Sequence, residues 1–326
     1  MDGTRGLCWS AAILVLSSIL LRSHHASAAA RPVLFQHALS PSTTPLPFIV
    51  LHGIGDACVN DGLTTFTLLL AEMSGATGFC IEIGNGLSDS FFMRLDKQAE
   101  VVCEQIKSMT ELRHGYNMVG LSQGNVIGRA VIQWCDDAPP VNNFVSIGGP
   151  HAGIAAVPLC KVMFFCKLVD AIIRIGVYSS YVQNNLAPTG YVKIPTDLDA
   201  YYKGCLFLPR LNNELPESRN ETYKQRFGSV NHLALIQFEK DEVLYPSNTA
   251  WFGFYAPNDF STLLPGQETD LYKEDWIGVK ALDDAGRVDY IMFPGKHLVF
   301  STDDMQDSIV PYLLPSFPSS RHVAEI

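Results

Sequence analysis

The residues best equipped for chemistry are Gly120-Leu121-Ser122-Gln123-Gly124. A serine flanked by glycines two positions away on either side suits a sharp turn from a strand into a helix. There the glycines relieve crowding and the hydroxyl stands clear of the sheet. The helix would begin just beneath the serine and favour the negative charge that develops during acyl transfer. In a plain Gly-rich turn the same string would be inert, so its meaning depends on a strand before it and a helix after it.

A serine nucleophile needs a base, and in this arrangement an acid and then a histidine follow later in the chain. His297 is the expected base, because it follows an apolar run at residues 288–293 and the loop Pro294-Gly295-Lys296. The other histidines are less well placed. His52 and His151 sit beside glycine loops, His114 and His232 precede apolar runs, and His322 lies in a polar tail. For the acid, the run at 233–238 ends in Glu239-Lys240-Asp241-Glu242, and any of its three carboxylates suits the role. Asp197, Asp199, Asp259 and Asp283 are further from a strand end.

An acyl-transfer site also needs two N–H groups aimed at the developing oxyanion. One comes from the residue after the nucleophile, here Gln123. The other comes from the loop after an early strand, and His52-Gly53-Ile54-Gly55 is a loop of that type, with Ile54 as the donor.

These side chains must be held by regular elements. Short apolar runs at residues 47–51, 79–83, 117–120 and 143–147 read as buried strands, each closed by glycine or a turn. Phe66, Leu69, Leu70 and Met73 recur at helical spacing. Phe92, Leu95, Ala99, Val102, Cys103, Ile106 and Met109 step by three and four, predicting one amphipathic helix. Val126, Ile127, Ala130, Val131 and Trp134 mark the helix after Ser122. Strands alternating with helices predict an α/β fold with a mostly parallel sheet covered on both faces.

The rhythm breaks over about residues 152–226 and resumes at 233–238, which predicts an insertion. Around residues 162–175 the polar Lys167, Asp170 and Arg174 share one face. Phe164, Phe165, Leu168, Val169, Ile172 and Ile173 spread over more of the circumference than one core requires. A helix buried on two sides fits this pattern, and so does a cap whose inner side, including Phe165 and Ile172, lines an apolar groove, with Leu206, Phe207 and Leu208 as further wall.

The chain has 326 residues, 47% of them hydrophobic and 17% charged, with a net charge of −10. That is apolar enough for a full core and too acidic for a nucleic-acid binder, which needs a basic face. No fixed-period repeat is present, which argues against solenoids and propellers.

Residues 1–28 read as a signal peptide. Arg5 starts it, residues 7–21 form an apolar stretch shorter than the ~20 a membrane span needs, and Ala26-Ser27-Ala28 fits a cleavage site. No later stretch is long and apolar enough for a transmembrane anchor. Residues 29–326 are then expected to form a single domain in the secretory pathway. Seven cysteines remain in this part, Cys58, Cys80, Cys103, Cys135, Cys160, Cys166 and Cys205, and without a C-x-x-C they suggest disulfides rather than a metal site. Asn220-Glu221-Thr222 is a glycosylation sequon, so Asn220 is a candidate acceptor.

Taken together, these residues resemble the lysosomal palmitoyl-protein thioesterases over about residues 47–314. The resemblance rests on His52-Gly53-Ile54-Gly55-Asp56, Ser90-Phe91-Phe92, Gly115-Tyr116-Asn117 leading to Ser122-Gln123-Gly124, and Ser146-Ile147-Gly148-Gly149. It continues through Trp251-Phe252-Gly253-Phe254-Tyr255 and the loop around His297-Leu298. It implies an α/β-hydrolase fold with a helical cap insertion and a triad of Ser122, Asp241 and His297, so that Asp241 is singled out from its neighbours. It also implies disulfides Cys103–Cys135 and Cys160–Cys166, leaving Cys205 as a free thiol and Cys58 and Cys80 unplaced.

The activity implied is hydrolysis of long-chain acyl-cysteine thioesters on proteins or peptides, without metal or organic cofactor, in a lysosome, vacuole or extracellular space. The rival readings are a lipase or carboxylesterase acting on oxygen esters, and a non-catalytic protein that binds an acyl ligand. Two departures stand out. Relatives carry two adjacent cysteines where this chain has Cys58-Val59, and their Gly-Gly-Gln-His reads Gly149-Pro150-His151 here.

Overall fold

The computed structural model describes residues 44–155 and 176–315. The expected signal peptide, the candidate groove residues Phe165 and Ile172, and Cys160 and Cys166 lie outside them.

The apolar runs form strands β1 (Phe48–Leu51), β2 (Gly78–Ile81), β3 (Tyr116–Leu121) and β4 (Val141–Ile147), then β5 (His232–Phe238). A short antiparallel pair, β6 (Phe254–Tyr255) and β7 (Leu263–Leu264), stands apart, and β8 (Val288–Phe293) completes the main sheet. That sheet has six strands, all parallel to their neighbours, in the order β2-β1-β3-β4-β5-β8. The chain leaves β1 to one side for β2 and returns on the other side as β3. Sites in such sheets lie beyond the carboxyl ends of the strands at this switch point.

Alternate residues of each strand serve two apolar layers. Ile49, Leu51, Met118, Phe144, Leu233 and Leu235 face one, and Phe48, Val50, Val119, Val145, Ile236 and Phe238 face the other. The first layer is closed by helices α3 (Leu95–Ser108) and α4 (Gln123–Trp134), the second by α1 (Asp61–Ser74) and the helix Thr302–Ser308. This is the α/β-hydrolase arrangement.

The helix expected from Phe92 to Met109 is present from Leu95 to Ser108, and only Phe92 at its start belongs to a separate, earlier helix. Helix α2 (Leu87–Phe92) stops at Met93, whose backbone is extended, and α3 starts at Leu95. The Gln98 amide bridges the junction: its Nε2 donates to the carbonyl of Asp89 at 3.0 Å, which also accepts the Met93 N–H, and to that of Met93 at 2.6 Å. Phe92 is 61% exposed.

Between β4 and β5 the described chain carries short helices at Ser180–Asn185, Leu198–Gly204, Leu208–Leu211 and Glu221–Gly228. Their buried residues Val182, Tyr201, Leu208, Leu211 and Phe227 join the first apolar layer. Phe207 and Leu208 are buried there as well, Phe207 edge-on to Trp134, so these two are core side chains and not open groove wall; Leu206 is exposed. Asn220 caps the helix Glu221–Gly228, its Oδ1 accepting the Thr222 N–H.

Two disulfides brace the fold. Cys103–Cys135 ties α3 to the end of α4, and Cys58–Cys80 ties the loop after β1 to β2. The second gives Cys58, left unplaced by the sequence, a partner 22 residues away. Cys205 is free and buried, and burial pushes its thiol up to about 12, which makes it unreactive. No helix among the described residues is long and apolar enough to cross a membrane.

Candidate active site

Ser122 stands between β3 and α4 with φ 50° and ψ −120°, a strained conformation for a residue with a side chain. The flanking glycines are needed there. A Cβ on Gly124 would meet the Leu51 carbonyl oxygen at 2.3 Å, and one on Gly120 would meet the Asn125 amide at 2.2 Å. The Ser122 N–H donates to Ile147 O at 2.9 Å, and Asn125 Nδ2 donates to Ile147 O at 2.9 Å and Ser122 O at 3.1 Å. The turn is thereby locked onto β4.

His297 and Asp241 arrive from the far side of the sheet. Pairing of Phe238 with Phe293 sets the loops after β5 and β8 side by side, and the Glu239 and Lys240 N–H groups bond to Phe293 O and Gly295 O. His297 Nε2 lies 3.0 Å from Ser122 Oγ, and His297 Nδ1 lies 2.7 Å from Asp241 Oδ2. With Nδ1–H donating to the carboxylate, Nε2 is left to accept the serine proton. The ring fits because Gly148, at φ +61°, has no Cβ to place 3.0 Å from His297 Cε1, and Phe238 packs edge-on against the imidazole.

Of the three carboxylates that the residues alone leave open, only Asp241 reaches the ring. Its side chain is 1% exposed, and its second oxygen accepts the N–H groups of Val243 and Leu244 at 2.8 and 2.9 Å. Glu239 is exposed, and Glu242 pairs with Lys296 on the surface.

Gln123 is the first residue of α4, so its N–H has no intrahelical acceptor. Among the described residues neither Gln123 N–H nor Ile54 N–H has a hydrogen-bond partner. The pairing of Leu51 with Gly120 brings the His52–Gly55 loop to the Ser122 turn. His52, fully buried, holds that loop to β2 through Nε2, 2.9 Å from Glu82 Oε1.

A buried polar cluster around Arg129 has no local signature in the sequence. Arg129, wholly buried on α4, lies between the rings of Phe227 and Phe252. It donates to His151 O at 3.3 Å and Asn212 Oδ1 at 2.9 Å. Burial pushes the guanidinium down to about 9, opposed by the charge of Glu214. Ser146 Oγ and His151 Nε2 are 2.7 Å apart. The cluster joins α4, the loop after β4 and the insertion, contributed by residues up to 83 positions apart, which is why spacing does not reveal it. A cavity of about 240 Å³, lined in part by Lys193, Tyr202, Glu214 and Trp276, is bounded by none of Ser122, Asp241 and His297.

The model of the palmitoyl protein thioesterase family matches residues 47–297. Palmitoyl-protein thioesterase 1 of Caenorhabditis elegans is 34% identical over 82% of this chain and 92% of its own length. Palmitoyl-protein thioesterase 3 of Dictyostelium discoideum is 30% identical over 84% of this chain and 88% of its own. A lysosomal thioesterase homologue of Drosophila melanogaster is 26% identical over 85% and 94%. Matched over residues 47–297 to the model of this family, and 34% identical to a relative over 82% of its length, the chain belongs to the palmitoyl protein thioesterases.

Proposed function

We propose that this chain hydrolyses S-palmitoyl and similar long-chain acyl thioesters on proteins or peptides, with Ser122 as nucleophile, His297 as general base and acid, and Asp241 as its orienting partner. The observation that carries the reading is the unbroken hydrogen-bonded chain of 3.0 and 2.7 Å from Ser122 Oγ through His297 to Asp241, in a member of this family.

His297 Nε2 takes the serine proton as Oγ attacks the thioester carbonyl, and the N–H groups of Ile54 and Gln123 receive the oxyanion. The cysteine sulfur then leaves. A thiol with a pKa of about 8.5 is a far better leaving group than an alcohol, so little acid assistance is required. Water activated by the same imidazole attacks the acyl-serine and releases the fatty acid. No step calls for a metal or organic cofactor.

The two disulfides support maturation in an oxidising compartment. With relatives named as lysosomal thioesterases, the secretory route to a lysosome or vacuole is the proposed destination.

The test compares turnover of a palmitoyl-cysteine peptide with that of the matched serine oxygen ester. Faster thioester hydrolysis is expected, abolished in Ser122→Ala and His297→Ala, with fluorophosphonate labelling lost in Ser122→Ala. Preference for the oxygen ester would make the protein a lipase-like esterase, and absence of both labelling and turnover would make it an acyl-binding protein.

A further inference from the structure

The loop that carries Ile54 is pinned on both sides. On one side Gly53 lies against the nucleophile turn, where an added Cβ would be 3.1 Å from Ser122 Cβ. On the other, the Gly55 N–H donates to Ser90 Oγ at 2.8 Å, and Gly55, at φ +76°, lies against the Phe91 ring. Ser90 is fully buried, and its own hydroxyl proton goes to Leu87 O at 2.7 Å. Its oxygen is therefore oriented to accept from Gly55.

The same residue reaches the other half of the site. Ser90 O accepts Gln123 Nε2–H at 2.8 Å. The orientation of the Gln123 amide follows, because a carbonyl can only accept. Gln123 Oε1 then faces Tyr191, whose O–H donates to it at 3.0 Å, and Nε2 also lies 3.3 Å from Gln98 Oε1. Gln98 has spent its own Nε2 on the carbonyls at the end of α2. Every polar atom of the Gln123 side chain is held, in a site with no exposure to water above 2%.

We propose that Ser90 is a positioning residue that sets the spacing of the two oxyanion donors: through Oγ it holds the loop bearing Ile54 N–H, and through its carbonyl it holds the residue bearing Gln123 N–H. It touches no reacting atom. The inference rests on the proposed roles of Ser122, Ile54 and Gln123. Replacing the hydroxyl leaves the half-buried Gly55 N–H without its acceptor and frees the loop on one side. Displacements of an ångström in such donors cost up to about a hundredfold in rate.

Ser90→Ala is expected to lower kcat on a palmitoyl thioester by roughly ten- to hundredfold with KM changed less than about twofold. Affinity for a palmityl trifluoromethyl ketone, which forms an oxyanion on the serine, is expected to fall by the same factor as kcat/KM, while affinity for palmitate is kept. Ser90→Thr, which retains the hydroxyl, is expected to recover most of the rate. Wild-type kcat in Ser90→Ala, or a rate loss not mirrored in ketone affinity, would overturn the proposal. Should Ser90→Ala not fold, Ser90→Cys keeps a similar shape with a weaker acceptor and is read by the same ratios. Turnover surviving in Ser122→Ala would instead overturn the nucleophile assignment, so the two failures are distinguishable.

Discussion

A Cβ built on Gly53 would stand 3.1 Å from Ser122 Cβ and 3.2 Å from Leu121 O, so the loop after β1 lies directly against the Ser122 turn. The backbone of Gly53 is not left-handed, so close approach alone requires glycine here. Gly53→Ala should therefore push the loop away from Ser122 by a few tenths of an ångström and lower kcat by about tenfold or more, with little change in melting temperature. Steady-state kinetics with a parallel thermal melt checks this, and unchanged kcat would mean that the loop yields freely.

The three carboxylates after β5 make a second test. Asp241→Asn keeps the shape but presents an amide to His297 and favours the wrong tautomer, so activity should fall by about a thousandfold or more. Glu239→Gln and Glu242→Gln alter exposed groups and should stay within about twofold. Loss in Glu239→Gln with retention in Asp241→Asn would reverse the assignment.

Buried His151 should make stability depend on pH. Burial, and then the neighbouring Arg129, hold its imidazole well below the ordinary histidine value, and its Nδ1 has no partner among the described residues. The unfolded chain takes up a proton near pH 6.5 that the folded chain refuses. This contribution is thus fully present above pH 6.5 and is lost as pH falls below it, at up to about 1.4 kcal/mol per pH unit. Urea unfolding of wild type and His151→Gln between pH 7 and 5 should give a shallower slope in the variant. Parallel slopes would show that His151 is not the proton sink.

The helical pattern around residues 162–175 carries the acyl-chain prediction. Each buried methylene contributes about 0.8 kcal/mol, so even half of a sixteen-carbon chain would dominate binding. If Phe165 and Ile172 line the groove, Ile172→Asp or Phe165→Asp should reduce activity on palmitoyl thioesters far more than on acetyl thioesters. Equal losses on both chain lengths would make this stretch purely structural.

Much of the scaffold is legible locally. Short apolar runs between turns record strands buried on both faces, and the run at 288–293 coincides with β8 to the residue. The serine turn is legible because its glycines answer a steric demand within five residues. Periodicity is less reliable at a helix end. The 3.6-residue spacing of Phe92–Met109 does not announce the extended backbone at Met93 that leaves Phe92 in α2 and starts α3 at Leu95.

By itself, then, the sequence determined which residues could act as nucleophile and base, that a parallel sheet carries them, and through its resemblance which carboxylate to favour. Only the tertiary structure decided that Asp241 lies 2.7 Å from the imidazole while Glu239 and Glu242 face solvent. It alone paired Cys58 with Cys80, and joined Ser90 to both Gly55 and Gln123. Local patterning encodes which side of an element is buried. Which buried sides meet depends on the strand order β2-β1-β3-β4-β5-β8, and that order is set by the packing of the whole chain.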